Sequence, residues 1–314
     1  MSQPRRTSRR HAWAVLTLPA LLCALTACSG APASGKSADA PARSAPPTPS
    51  GPPGTLFDNF HYSGPEDPSL TANGWEVRDG AGSPGIKDTW SSAGAGFLSD
   101  ATAQGGRVLQ LQASTDGTKQ GTKQVEVQST GTDLFTGTYA ARVHFGNKPT
   151  SGRNGDHVVQ TFFPISPSDS SANYSELDHE YLPNGGWGSV GPRLDNVSWY
   201  KADPPDRVNH TFKQRLEGWH IMMITAVDGK VTYSLDGKEL FTSSGKYVPR
   251  EKMDIHFSNW FIDLPFTGGP RTWDMKVNWF YYKADEAVSQ AEVQKAVDGF
   301  YSAGTNYINT VPKS

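Results

Sequence analysis

The stretch Tyr174-Ser175-Glu176-Leu177-Asp178-His179-Glu180-Tyr181 decides how the rest of the chain is read. Successive side chains of a β-strand point to opposite faces, so Glu176, Asp178 and Glu180 share one surface while Leu177, His179 and Tyr181 share the other. Three acids crowded on one face repel one another, and a strand that served packing alone would gain nothing from them. A solvated outer face or a cation site would carry them without further consequence. Bond-breaking chemistry gives the spacing a purpose: retaining glycoside hydrolysis pairs an ionised carboxylate with a protonated one about 5 to 5.5 Å away. Positions four apart on a flat strand lie about 13 Å apart, from a rise of about 3.3 Å per residue. A concave face brings the tips together, as a cleft around a polymer would. Asp178 between them then shares a proton and keeps the protonation of its neighbours distinct.

Outward from this strand, Leu56 to Lys283 reads as short alternating segments separated by Gly, Pro, Asn and Asp, with no helix of a dozen residues. Strands are expected at 107–113, 124–129, 137–145, 157–163, 174–181, 219–226, 230–235 and 275–282. Asp228-Gly229 and Asp236-Gly237 are expected to turn hairpins, since both residue types tolerate positive φ. Roughly 230 residues of this texture fit a single all-β sandwich. Beyond Lys283, Ser289 and Glu292 have capping-box spacing and Val293, Ala296, Val297 and Phe300 form an apolar stripe, so a short helix packed on the sandwich is expected, stopped by Gly299.

The N-terminus is of another kind. Arg5, Arg6, Arg9, Arg10 and His11 precede an apolar run from Ala12 to Ala27, the form of a secretory signal too short to span a membrane comfortably. It ends Leu25-Thr26-Ala27-Cys28, which resembles the bacterial lipobox and implies cleavage before Cys28 and lipidation of its thiol. Residues 28–55 are nearly all Ala, Pro, Ser, Gly and Thr, a tether that cannot bury a core. The expected organisation is signal peptide 1–27, tether 28–55, β domain 56–283 and helical extension 284–314, with the protein exported and facing outward from the cell membrane, or secreted. Of 314 residues, 29 are Lys or Arg and 31 are Asp or Glu; loss of the signal takes away four arginines and no acid, leaving a net charge of −6. No basic surface for nucleic acid is expected. The two cysteines, Cys23 and Cys28, leave the domain to hold by packing alone.

The segment Glu176-Leu177-Asp178-His179-Glu180 resembles the Glu-x-Asp-x-Glu active-site strand of the family 16 glycoside hydrolases, the laminarinase, lichenase and agarase group on a concanavalin-like β jelly roll. The flanks agree in order: Phe57-Asp58-Asn59-Phe60 resembles the opening strand, and Gly137 to Val143 the Gly-x-Phe/Tyr-x-x-Arg strand. Downstream, Trp219-His220, Tyr233 to Gly237, Asn259-Trp260 and Val277 to Tyr282 resemble later strands, so the resemblance spans residues 56–283. It implies Glu176 as nucleophile, Asp178 as its assistant and Glu180 as general acid and base, where alternation alone could not order the two glutamates. His179 departs from the family's apolar residue and should need a hydrogen-bond partner in the inter-sheet core. The Gly/Asn-rich loop Pro183 to Gly188 is tied to no substrate group.

Sugar rings stack on rigid aromatic faces, so Trp187, Trp260, Trp199 and Tyr200, with Arg142, are the candidate substrate contacts. No nucleophile elbow, phosphate-cradling loop or paired-cysteine metal motif is present. No cofactor is expected, although the resemblance allows a structural calcium ion. The sequence therefore points to a monomeric, retaining, endo-acting hydrolase of β-linked polysaccharide, with β-1,3- or mixed-linkage glucan first. The alternatives are a non-catalytic carbohydrate-binding lipoprotein and a polysaccharide lyase on a similar jelly roll; a lyase would want Arg, His and Tyr in its cleft rather than paired glutamates.

Overall fold

The structure is a computed structural model that describes residues 51–131 and 134–313. The expected signal peptide, Cys28 and all of the tether before Gly51 lie outside the described residues.

Period-2 burial builds the sandwich. In Gly137–Phe145 the side chains of Tyr139, Ala141, Val143 and Phe145 enter one core, and Leu109, Leu111 and Ala113 of Arg107–Thr115 join them. A first, seven-stranded sheet runs in the order Asp206–Phe212, Arg193–Lys201, Glu176–Leu182, Val158–Ile165, Asp254–Phe261, Val125–Ser129 and Trp75–Val77. A second sheet of nine strands has the order Lys238–Ser244, Lys230–Leu235, Gly218–Val227, Gly137–Phe145, Arg271–Ala284, Thr55–Asp58 and Tyr307–Asn309. Arg107–Thr115 pairs with the first half of the long Arg271–Ala284 strand and Thr55–Asp58 with its second half, while Ala95–Ser99 lies outside Arg107–Thr115. The chain switches between the sheets repeatedly up to Gly137–Phe145, then meanders through four strands of the first sheet and three of the second before Asp254–Phe261 returns to the first and Arg271–Ala284 to the second. This is the all-β sandwich jelly roll expected from the sequence.

The two hairpins of the second sheet turn where expected, with φ of 53° and 71° at Asp228-Gly229 and 51° and 79° at Asp236-Gly237. The helix is Gln290–Ser302, and Ser289 closes its capping box with Glu292. It runs past Gly299, correcting the expected stop. One more turn lets Phe300 stack on Phe57 at 4.7 Å, and the left-handed residue is Gly304 (φ 69°). There the Gly304 and Thr305 amides donate back to the Tyr301 and Phe300 carbonyls at 3.1 and 2.9 Å, a Schellman ending. Val293, Val297 and Phe300 cover Ala140, Met223, Trp279 and Tyr281 on the outer face of the second sheet. That leaves the outer face of the first sheet for chemistry.

Candidate active site

Glu176–Leu182 is an inner strand of the first sheet. Leu177 and Tyr181 are buried between the sheets, and Glu176, Asp178 and Glu180 open together into a cleft of about 580 Å³ on the other side. Its floor continues sideways through the ladder: Trp199, Val197 and Asp195 stand directly opposite Glu176, Asp178 and Glu180, and Thr161 faces Glu180 from the other neighbour. One wall carries Trp260 against the Pro84-Gly85 turn. A side chain on Gly85 (φ 71°) would stand 2.8 Å from the Trp260 ring and 2.6 Å from the Phe261 carbonyl, so only glycine lets this turn close the wall.

The three carboxyls have different surroundings. Tyr174 donates its hydroxyl to Glu176, and Trp199 Nε1 donates to Asp178 Oδ2 at 2.8 Å. Burial drives Asp178 well above the carboxylate range, and the charges of Glu176 and Glu180 push it the same way. Protonated, Asp178 hydrogen-bonds Glu176. Burial raises Glu176 too, but the bonds from Tyr174 and Asp178 pull it back toward the ionised form. Glu180 receives no such bond. It is pushed up to about 8, first by burial and then by the charges of Glu176 and Asp195, against the opposing pull of Arg207 and Arg193. Burial raises both glutamates, but only Glu176 has hydrogen bonds that oppose the rise, so Glu180 is the one held protonated near neutral pH.

His179 faces the inter-sheet core, as its place in the alternation requires. Nδ1 lies 2.7 Å from Asn196 Oδ1 and Nε2 lies 3.1 Å from the Met223 carbonyl. Burial lowers its pKa to about 4, so the ring is neutral and owns one N–H. Nε2–H donating to Met223 leaves Nδ1 an acceptor. Turning the Asn196 amide about its last bond gives Nδ1 a donor and satisfies Asn196 Nδ2, which otherwise has no partner. The histidine thus pins the back of the carboxylate strand to both its neighbour and the second sheet.

Of the aromatic candidates, Trp187, Trp199 and Trp260 line the cleft. Trp187 sits at the tip of a small hairpin, Gly185–Gly186 with Ser189–Val190, half exposed and 6.1 Å from the Trp260 ring. Its backbone is left-handed (φ 48°), a costly place for a bulky side chain and a frequent one at functional sites. Tyr200 and Arg142 are corrected. Tyr200 turns out of the cleft where the register shifts between Trp199 and Lys201, and the Arg250 guanidinium covers its ring at 4.0 Å. Arg142 lies on the far side of the sandwich: Ala141 and Val143 face the core, so Arg142 points outward from the second sheet, over Trp219 at 4.5 Å and bonded to Asn278 Oδ1 at 2.7 Å.

No protein-family model matches the sequence, and no curated protein does. Solved structures do match. A β-glucanase of Bacillus licheniformis superposes with a TM-score of 0.53 at 14% identity, over 73% of this chain and 98% of that one. A family 16 endo-glucanase from Bacteroides ovatus gives 0.55 at 13% identity over 71% and 98%, and a laminarinase from Flavobacterium sp. UMI-01 gives 0.51 at 12% over 72% and 98%. The fold is the jelly roll of these glucanases.

Within this glucanase-type jelly roll, the sequence reading overlooked Tyr174, Thr161, Arg193, Asp195 and Arg207. Tyr174 was legible, because it stands two residues before Glu176 in the same alternation. The cleft residues Arg193, Asp195 and Arg207 come from strands whose sequences show no clean alternation, and only the sheet brings them to the carboxylates.

Proposed function

We propose that the protein is a retaining, endo-acting glycosidase that hydrolyses β-linked polysaccharide, β-1,3- or mixed-linkage glucan first, on the outer side of the membrane to which Cys28 anchors it. The observation that carries this reading is that one strand opens Glu176, Asp178 and Glu180 together into the cleft, with Tyr174 and Asp178 hydrogen-bonded to Glu176 and burial raising Glu180. Glu176 attacks the anomeric carbon while the bond to the leaving oxygen breaks and Glu180 delivers its proton to that oxygen. A glycosyl–Glu176 ester results. Glu180, now ionised, takes a proton from water, which attacks the same carbon and releases Glu176. Trp187, half exposed beside the cleft, offers a flat face to a sugar ring. The glucanases with this fold support the substrate class.

The test is a screen of the chain from Ser29 onward against laminarin, lichenan, agarose and carrageenan with reducing-end detection. Release of oligosaccharides from either glucan, abolished in Glu176→Gln and Glu180→Gln variants that still fold, is expected. Binding to these polymers without any release of reducing ends would instead favour a carbohydrate-binding module.

A further inference from the structure

Glu180 faces one acid from outside its own strand. Asp195 stands directly opposite it in the ladder, where paired side chains begin about 4.5 to 5.5 Å apart, and both line the cleft. Like charges so placed destabilise a sheet unless something holds them. Two groups hold Asp195: Thr211, opposite it on the edge strand, donates Oγ1–H to Asp195 Oδ1 at 2.6 Å, and Arg193 Nε lies 3.0 Å from Oδ2. The pair is almost closed to solvent, with side-chain exposures of 11% and 8%.

We propose that Asp195 is a positioning residue of the site, a fourth carboxylate fixed by Arg193 and Thr211 so that it keeps the proton on Glu180. The remaining groups around Glu180 complete the balance. Its own strand contributes Glu176 and Asp178, the edge strand Arg207, and the neighbouring Val158–Ile165 strand only the uncharged Thr161 and Phe163. From Asp254–Phe261 and the hairpin come Trp260 and Trp187, while the next charged groups, His256 and Glu126, pair with each other. Asp195 works with Glu176 to retain the proton, and Arg193 and Arg207 work to release it. With Arg193 paired to Asp195, the carboxylate is the larger influence on Glu180.

This rests on the glycosidase reading for its effect on rate, so the test reads Glu180 itself. In protein labelled with ¹³Cδ-glutamate, the Glu180 resonance is assigned by its loss in Glu180→Gln and followed through a pH titration in Asp195→Asn and Arg193→Gln. Asp195→Asn is expected to lower the Glu180 midpoint by about one pH unit, since it removes a neighbouring charge and frees Arg193. Arg193→Gln is expected to raise it. On a cleaved glucan the alkaline limb of the pH–rate profile should move with the midpoint, with little change in KM. A midpoint unmoved in Asp195→Asn, or shifts of the same sign in both variants, would overturn the proposal. Should Asp195→Asn fail to fold, Arg193→Gln decides alone, and the absence of a rise refutes it. Shifted midpoints in a protein that cleaves no glycan would count against the glycosidase reading and leave the role of Asp195 standing.

Discussion

Replacing Glu180 with glutamine should make the protein more stable at pH 8 and leave it unchanged at pH 4. Glu180 titrates near 8 in the folded chain against an ordinary value of 4.5. Below pH 4.5 the carboxyl is protonated whether the chain is folded or not, and it costs nothing. Between the two values the unfolded chain has released a proton that the folded chain keeps, so stability falls as pH rises, and above pH 8 the full cost is present. A shift of this size corresponds to at most about 5 kcal/mol, and partial exposure of the side chain reduces that to about 2 kcal/mol. Glutamine keeps the shape and has no charge to desolvate. For a domain of this size, about 2 kcal/mol moves the melting midpoint by roughly 4 to 8 °C. Thermal melts of parent and Glu180→Gln at pH 4, 6 and 8 should show the two curves coinciding at pH 4 and separating steadily toward pH 8, the variant above. Equal midpoints at pH 8, or a gap that is widest at pH 4, would show that Glu180 is not held protonated by its surroundings.

Trp199→Phe keeps an aromatic face and removes the donor to Asp178 Oδ2; a hydrogen bond between neutral groups is worth about 1 kcal/mol, so kcat on a glucan should fall about fivefold with KM nearly constant. Trp187→Ala should raise KM for long oligosaccharides by roughly 2- to 12-fold, the value of one aromatic stacking contact, without lowering the melting midpoint. His179→Leu leaves Asn196 and the Met223 carbonyl unpaired and should cost about 3 kcal/mol in urea unfolding at neutral pH.

Where alternation was clean, the sequence was sufficient. Gly137–Phe145 puts apolar residues at every second position, Glu176–Leu182 alternates its acids with Leu177, His179 and Tyr181, and the Asp-Gly pairs marked the hairpins. Arg193–Lys201 escaped because its inward side is polar: Asn196 and Ser198 are buried, Asn196 against His179 and Ser198 with its hydroxyl 2.7 Å from Tyr233 and from Ser243. Polar residues on both faces erase the period. Asp206–Phe212 escaped because an edge strand with both faces half in water needs no pattern at all. Those two strands carry Arg193, Asp195 and Arg207, so the carboxylates were legible and the groups around them were not. The misplacement of Arg142 has the opposite origin. Its neighbours Ala141 and Val143 already faced the core, so the alternation itself pointed Arg142 away from it.

The stereochemistry of the first product tests the central claim most directly. Proton NMR of a β-glucan digest in its first minutes should show the newly released reducing end as the β anomer, appearing before mutarotation supplies α, because Glu176 and then water each attack the same carbon from opposite sides. Initial release of the α anomer would mean that water attacks once, and that Glu176 is not the nucleophile.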